Sequence, residues 1–218
     1  MASDLASKSD RGEGHQPREP APLRYGVVIL AAGASTRLGR PKQLQPIDGQ
    51  PLVVRAAEAA LQSSGWPVVV VLGAEAERIR PVVAHLPVLV AENSAWAEGM
   101  ASSIRTGIAT LRQFSRLLDG ALLALCDQPA FATATIAKLI SAHEKTGRSI
   151  VASRYGGQLG APAFFRRDHF PALAALTGEE GARPLLRDAA QVATVDLPEL
   201  AQDIDDPGDL ATLRPDRE

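Results

Sequence analysis

Apolar residues along the chain are grouped into short, nearly continuous runs that alternate with longer amphipathic segments. The four most continuous runs cover residues 25–32, 67–73, 87–91 and 120–126. Uninterrupted apolar runs of this length are typical of strands that are covered on both faces, as in a parallel sheet. Three later runs, which we predict as further strands, cover residues 149–155, 161–165 and 192–197.

The segments between these runs predict helices near residues 51–64, 74–85, 99–116 and 132–146. The third is the clearest, because its methionine, isoleucine and leucine residues are spaced to lie on one apolar face. Alternating strands and helices predict an α/β sandwich with right-handed crossovers and a mostly parallel central sheet. The fifth and sixth runs are joined by the glycine-rich segment GGQLG and predict a small β-hairpin excursion from this alternation.

Two parts of the chain differ in character. Residues 1–24 are polar, rich in proline and glycine, and without hydrophobic periodicity, so we predict a disordered N-terminal tail. Residues 25–218 carry all the predicted strands and helices, and their number suits one domain.

Charge and cysteine content narrow the class of protein. The chain has 23 Lys and Arg against 25 Asp and Glu, a balance that argues against an extended nucleic-acid-binding surface. Cys126 is the single cysteine, so no internal disulfide can form, which suits a reducing cytoplasm. No apolar run approaches the ~18 residues that span a bilayer, and the N-terminus lacks the apolar region of a secretory signal. We therefore expect a cytoplasmic protein that binds neither nucleic acid nor membrane.

The segment VVILAAGASTRLGRPKQL, residues 27–44, joins the first predicted strand to several basic side chains. It fits neither the P-loop spacing nor the glycine pattern of a dinucleotide-binding turn. Its small residues, from Ala31 to Ser35, would let the backbone approach a ligand and offer successive N–H donors. Arg37 can supply a bidentate guanidinium, and Lys42 a compact charge, to the phosphates of a nucleotide. The alternative is an ordinary strand-to-helix turn with incidental surface bases.

Acidic residues follow two of the predicted strands. Ligands of open α/β sheets bind at the carboxyl ends of the strands, and Asp127 directly follows the run 120–126. It can bind Mg²⁺, since hard cations held with phosphates take one or two carboxylates from the protein, or it can merely initiate a turn. In DIDDPGDL, residues 203–210, Asp206 can cap a helix before a proline while Asp205 binds a metal.

Polar residues also surround the predicted start of the third helix. Gly99, Ser102 and Ser103 would place N–H groups and hydroxyls there, either to read a base or ribose or only to cap the helix. In TGEEGARPLLR, residues 177–187, Arg183 can contact an anion or remain a solvated surface residue. The four histidines are scattered along the chain and predict no metal site.

Together these segments resemble one family. LAAGASTRLGRPKQL is similar to the nucleotidyltransferase signature L-A-A-G-x-S-x-R-[ML]-G-x-x-K-x-L. The companions NSAWAEGMASSIRTGI, CDQP, GEEGAR and DIDDPGDL narrow the resemblance to the molybdenum cofactor nucleotidyltransferases, and most to their cytidylyltransferase group. The resemblance extends from Tyr25 to Leu213, with the motifs in the family's order. One departure is Glu179, which stands where the family usually has aspartate.

The resemblance implies a Rossmann-like three-layer α/β/α sandwich, a nucleoside triphosphate, Mg²⁺ and release of pyrophosphate. It assigns Arg37, Lys42 and Asp127 to catalysis, and Asp127 and Asp205 to the metal. It places Arg183 and Asp203 near the acceptor substrate. The residues that it implies for nucleotide binding are Leu30, Ala31, Ala32, Gly33, Arg37, Lys42, Asn93, Gly99 and Ser103.

The reaction that the resemblance implies is transfer of CMP from CTP to molybdenum-bound molybdopterin. A molybdoenzyme or its maturation chaperone would then be a partner that receives the product. Three alternatives stay open: GTP as the triphosphate, a non-catalytic carrier of finished cofactor, and an oxidoreductase like one branch of the family, acting on pigment-like heterocycles with a nicotinamide cofactor. The pair Lys42 and Asp127 favours transfer chemistry.

Overall fold

The computed structural model describes residues 21–187, 192–204 and 208–209. Its strands are β1 (Tyr25–Ala31), β2 (Pro46–Ile47), β3 (Gln50–Pro51), β4 (Val68–Leu72), β5 (Leu89–Glu92), β6 (Gly120–Leu125), β7 (Ile150–Tyr155), β8 (Gln158–Arg166) and β9 (Val192–Asp196). Its α-helices are α1 (Leu52–Leu61), α2 (Ala76–Val83), α3 (Met100–Phe114), α4 (Thr133–Thr146) and α5 (Phe170–Ala174). None of these described helices is long and apolar enough to cross a membrane. Residues 1–20, most of the predicted disordered tail, lie outside the described ranges.

The central sheet has the strand order β5-β4-β1-β6-β8-β7-β9 within the described residues. Strand β1 lies between β4 and β6 and is parallel to both. Strand β8 is antiparallel to β6 and to β7, and β9 is parallel to β7. The predicted hairpin is confirmed as β7 and β8, and both of its strands belong to this mostly parallel sheet. A separate two-stranded ribbon of β2 and β3 precedes α1.

Helices cover both faces of the sheet and complete the predicted three-layer sandwich. Every residue of β1 is buried, and alternate side chains of a strand point to opposite faces. Val27 and Ile29 belong to an apolar cluster with residues of α1, α2 and α4. Val28 and Leu30 belong to a second cluster, with residues of α3 and α5. Burial on both faces therefore explains why this run is continuously apolar instead of alternating.

One ion pair joins the start of β1 to the start of β6. Arg24 Nε lies 3.2 Å from Asp119 Oδ2, and the Arg24 backbone N–H donates to the same oxygen at 3.0 Å. The Arg24 guanidinium holds the pKa of the Asp119 carboxyl below its ordinary value. Both side chains are at least one-third exposed to solvent, so this pair contributes little to the free energy of unfolding.

Helix α3 approaches the sheet closely at Gly107. A Cβ atom at this position would lie 2.4 Å from Val28 Cγ1 and 3.3 Å from Val71 Cγ2, too near for either stiff side chain. We expect Gly107→Ala to lower the free energy of unfolding by about 1–2 kcal/mol, because the overpacking outweighs the gain in helix propensity.

Urea denaturation of Gly107→Ala measures this loss. Gln113→Ala, an exposed change on the same helix, is the control and should leave the unfolding midpoint nearly unchanged. An equal or higher midpoint for Gly107→Ala would contradict the close packing of α3 on β1.

Candidate functional site

A cavity of about 380 Å³ lies at the carboxyl ends of the central strands. This volume is within the usual range for a small-molecule site, and the position is the one at which open α/β sheets bind ligands. The adjacent strands β1 and β6 bring the loop after Ala31 beside Asp127. The predicted site residues that line it are Leu30, Ala31, Ala32, Gly33, Lys42, Gly99, Ser103 and Asp127.

An ion pair between Lys42 and Asp127 lies at this cavity, although 85 residues separate the two in sequence. Lys42 Nζ donates a short hydrogen bond to Asp127 Oδ2. The two side chains are only 18% and 14% exposed, so water screens their interaction weakly. Asp127 Oδ1 is buried and has no hydrogen-bond partner among the described residues. This oxygen is therefore a ready ligand for a cation.

The loop after β1 is held by residues that follow it in sequence. Gln43 is buried, and its Nε2 donates to Ala31 O at 3.0 Å and to Gly33 O at 2.8 Å. Ser35 has a positive φ of 54°, and its Oγ accepts from the Lys42 backbone N–H at 3.0 Å. These bonds tie the loop to the short 3₁₀ helix Lys42–Leu44, so they hold the loop backbone and the Lys42 backbone in fixed positions relative to each other.

The start of helix α3 forms another wall of the cavity. Gly99, which precedes the helix, has φ of 101°, and a Cβ there would lie 2.7 Å from both Glu179 Cδ and Gly178 O. The Ala101 N–H donates to Gly178 O at 3.1 Å. Glycine at position 99 thus allows the segment around Glu179 to pack on the helix start, and Glu179 lines the cavity.

Asn93 lies behind this wall and does not line the cavity. It is buried, and its Nδ2 donates to Ser102 Oγ at 2.8 Å and to Ser103 Oγ at 3.0 Å. Its Oδ1 accepts from the Ala95 N–H at 3.0 Å. Within the described residues the Asn93 side chain therefore contacts the protein and orients Ser103, which does line the cavity.

Neither of the predicted acceptor-side residues, Arg183 and Asp203, lines the cavity. The Ile204 N–H donates to the Asp127 carbonyl at 3.1 Å, which brings Asp203, the residue before Ile204, close to Asp127. Burial raises the pKa of the Tyr155 hydroxyl, and the charges of Asp203 and Asp127 raise it further while that of Arg183 opposes them. The hydrogen bond that the Tyr155 hydroxyl makes with Gln128 Nε2, at 3.1 Å, lowers this pKa.

Two other predicted site residues are not among those that line the cavity. Arg37 is exposed on the loop and does not line the cavity, whereas the predicted metal ligand Asp205 lies outside the described residues. In the part of the chain that the structure describes, no three His, Cys, Asp or Glu side chains are grouped to hold a metal. Two carboxylates, those of Asp127 and Glu179, line the cavity.

Cys126 also lines the cavity, yet its chemistry is not that of a nucleophile. The side chain is buried, and this burial, together with the charge of Asp127, raises the pKa of the thiol far above its ordinary value. The thiol therefore stays protonated at neutral pH, and the thiolate is the nucleophilic form of cysteine.

Several cavity residues were not predicted from the sequence: Gln43, Trp96, Met100 and Glu179. The exposed aromatic and methionine side chains, Trp96 and Met100, are 38% and 39% exposed at the cavity, where a flat base or heterocycle could pack on them. The signal that could have found them is their position in the segment 92–108, beside Gly99 and Ser103 at the start of the third helix.

A larger cavity, of about 970 Å³, lies at the opposite end of the sheet, where β6 begins and β8 ends. Its lining includes Arg112, Arg116 and Arg167 with apolar Leu118 and Phe170, and none of the predicted site residues. The lining of this larger cavity has no carboxylate and no loop of small residues. The smaller cavity is therefore the better candidate for nucleotide chemistry.

A family model described as the MobA-like NTP transferase domain matches residues 27–198. Nicotine blue oxidoreductase of Paenarthrobacter nicotinovorans is 37% identical over 170 residues, which cover 73% of this chain and 80% of that protein. The bifunctional protein GlmU of Syntrophotalea carbinolica is 38% identical over 129 residues, or 57% of this chain. The chain spans about a quarter, 26%, of that GlmU protein.

Solved structures share the fold. Rv0371c from Mycobacterium tuberculosis H37Rv superposes with a TM-score of 0.74 at 29% identity, covering 88% of this chain and 97% of that chain. A structure of the Rv0371c complex with manganese has a TM-score of 0.70 at 28% identity and covers 88% of this chain and 98% of that chain. A divalent metal therefore accompanies this fold in a homologous protein.

Proposed function

The chain belongs to the MobA-like NTP transferase domain family, and on that premise we propose that it transfers CMP from CTP to molybdenum-bound molybdopterin, releasing pyrophosphate. The observation that carries the proposal is the Lys42–Asp127 ion pair, held beside a backbone loop of small residues at one cavity. A cationic group, a carboxylate and a row of backbone donors are the parts that triphosphate chemistry needs.

In the proposed reaction a terminal phosphate oxygen of the acceptor attacks the α-phosphorus of CTP. A bond forms between that oxygen and the α-phosphorus, and the bond to the β-phosphate breaks, so pyrophosphate leaves with the electron pair. The acceptor phosphate is already anionic near neutral pH, so the protein needs no general base. Its task is to position two anions and offset their charge.

The chain's own residues divide this task. The backbone around Ala31 and Gly33 approaches the phosphates, and the Lys42 ammonium offsets charge on the transferring group. Arg37 would have to turn from the exposed surface to reach the leaving pyrophosphate, whereas Gly99 and Ser103 lie where the base or ribose would bind. Arg183 and Asp203 are proposed to contact the acceptor from the motif resemblance, and for Asp203 the hydrogen bond from the next residue, Ile204, to the Asp127 carbonyl supports this role.

The residues at the cavity fit a divalent cation. Asp127 Oδ1 is a buried carboxylate oxygen with no hydrogen-bond partner among the described residues, and hard cations prefer such oxygens. We propose that Asp127, with Asp205, holds Mg²⁺ together with the phosphates. When bound, Mg²⁺ would supply charge neutralisation at the reacting phosphates. The manganese complex of Rv0371c supports the choice of a divalent metal.

The identity of the base and the acceptor rests on motif resemblance. GTP remains the alternative triphosphate, because the cavity walls that would contact the base, Trp96 and Ser103, suit either one. A carrier that delivers finished cofactor without catalysis is less well supported, since a carrier needs no buried ion pair at the phosphates.

A second candidate is an oxidoreductase, favoured by the similarity to nicotine blue oxidoreductase. Trp96 and Met100, both partly exposed at the cavity, could pack on a planar heterocycle in such a reaction. The Lys42–Asp127 pair has no evident use in hydride transfer, and for that reason nucleotidyl transfer is preferred.

One set of assays separates these functions. Purified protein is mixed with Mg²⁺, molybdenum-loaded molybdopterin and either CTP or GTP, and pyrophosphate is measured. We expect release with CTP in excess of that with GTP, and none when the acceptor is omitted. Acceptor-dependent release with GTP but not with CTP would show that the base is guanine. If neither triphosphate gives pyrophosphate, and the protein oxidises a reduced nicotinamide cofactor when a pigment-like heterocycle is added, the oxidoreductase is supported instead.

A further inference from the structure

Gln43 is a buried polar side chain beside the cavity, and no motif of the sequence assigns it a role. It is 1% exposed, and both donors of its amide are directed at one loop. Nε2 donates to Ala31 O at 3.0 Å and to Gly33 O at 2.8 Å, while the Ser35 hydroxyl donates to Oε1 at 3.4 Å. A buried amide that uses both ends on one segment fixes the backbone of that segment.

We infer that Gln43 is a positioning residue that holds the loop 31–35 in the conformation that binds the phosphates of the nucleotide. The inference rests on the proposed function, since it takes the ligand of this loop to be a nucleoside triphosphate. Gln43 acts through the backbone, and no step of the reaction is assigned to its side chain.

The direction of the loop carbonyls carries the argument. A carbonyl oxygen that faced the ligand would repel a phosphate, because both are negative. Gln43 instead holds the carbonyls of Ala31 and Gly33 toward its own amide. In a planar trans peptide the following N–H points opposite to the carbonyl, so the N–H groups of Ala32 and Ala34 point away from Gln43.

These N–H groups belong to residues that line the cavity. Among the described residues, the Ala34 N–H donates no hydrogen bond to the backbone. Successive N–H donors in a turn form an anion-binding concavity. Because Gln43 holds the two carbonyl oxygens toward its own amide, the N–H groups of the loop are left to face the cavity.

The same residue couples this row of donors to the catalytic ammonium. Gln43 follows Lys42 in the 3₁₀ helix Lys42–Leu44, and the Lys42 N–H donates to Ser35 Oγ at 3.0 Å. Displacement of the loop would therefore shift the backbone that carries Lys42. One hydrogen-bond network sets the distance between the donors and the ammonium.

The test replaces Gln43 by methionine, which keeps the length of the side chain but lacks both N–H donors. We expect the Kd of the Mg-triphosphate to rise about tenfold by titration calorimetry. The KM for the triphosphate should rise in parallel, while kcat changes by less than about twofold, because the loop binds ground state and transition state alike. A purely structural role would lower the melting temperature without this split.

Gln45→Met is the matched control. Gln45 is also buried and lies two residues further along, but it does not line the cavity and its side chain makes no hydrogen bond within the described residues. Its replacement should leave the Kd unchanged. Equal binding by wild type and Gln43→Met, or equal weakening by both variants, would overturn the inference.

A measurement on the wild-type protein covers the case in which Gln43→Met does not fold. Hydrogen–deuterium exchange at residues 32–34 should slow when Mg-CTP is added, since the free N–H groups become bonded to phosphate. Unchanged exchange there, in protein that binds the triphosphate by calorimetry, overturns the inference alone. If wild-type protein binds neither CTP nor GTP, the proposed function fails, and the inference fails with it.

Discussion

Replacing Asp127 by asparagine should lower the rate of nucleotidyl transfer by at least about a thousandfold. Asparagine keeps the shape of the side chain but removes the charge that pairs with Lys42 and the carboxylate oxygen that would hold Mg²⁺. The loss should appear in kcat at saturating triphosphate, measured as pyrophosphate release. The concentration of Mg²⁺ needed for any residual rate should rise as well.

Asp119→Asn is the control for this change. Asp119 directly precedes strand β6, and Asp127 lies just after the other end of the same strand. The two carboxylates therefore lie at opposite ends of β6. Replacement of Asp119 removes a partly exposed ion pair with Arg24 and should leave the rate within about twofold of wild type. Melting curves establish that Asp127→Asn is folded at the assay temperature. A folded Asp127→Asn protein with more than about a tenth of the wild-type rate would refute the assignment.

Replacing Lys42 by methionine should lower the rate by about a hundredfold or more. Methionine retains most of the apolar stem, so the change removes the ammonium with little loss of packing. The transferring phosphate then lacks its nearest fixed positive charge, and Asp127 loses its ion-pair partner. Because two anions must approach each other in the reaction, we expect kcat to fall more than the affinity for triphosphate.

Lys138→Met provides the comparison for Lys42→Met. Lys138 lies on α4, is about half exposed and forms an ion pair with Glu199 at 3.4 Å. Its loss removes one positive charge from the protein without altering the cavity, so the rate should be nearly unchanged. If both lysine variants lose activity equally, the effect of Lys42 would be one of net charge. If neither does, Lys42 takes no part in the reaction.

The arrangement of strands could be predicted from sequence only in part. The run at 25–32 is continuously apolar because β1 lies at the centre of the sheet with helices on both faces, and such a run reports burial directly. The segment GGQLG predicts that β7 and β8 are antiparallel, but no local signal shows that β8 lies between β6 and β7 in the sheet. The ribbon of β2 and β3 was missed because two-residue strands have no periodicity.

The candidate site could likewise be predicted from the sequence only in part. The position of Lys42 and Asp127 at the cavity could be predicted, because both are charged and each follows a recognisable local pattern. The role of Gln43 depends on two carbonyls that precede it by 12 and 10 residues, and nothing local to Gln43 specifies that contact. Asn93 stays a predicted nucleotide-binding residue, and the sequence alone does not show that its amide donates hydrogen bonds to two serines.

The reversal of β8 has a consequence for how members of such a family can diverge. Because β7 and β8 run in opposite directions, the turn at Gly156 and Gly157 lies at the same edge of the sheet as Asp127, while the ladder from Ala163 to Arg166 stays locked to β6. Residues can be added to or removed from that turn without disturbing a buried strand. The length of this turn can therefore vary among related proteins while the loop after β1 and Asp127 keep their positions.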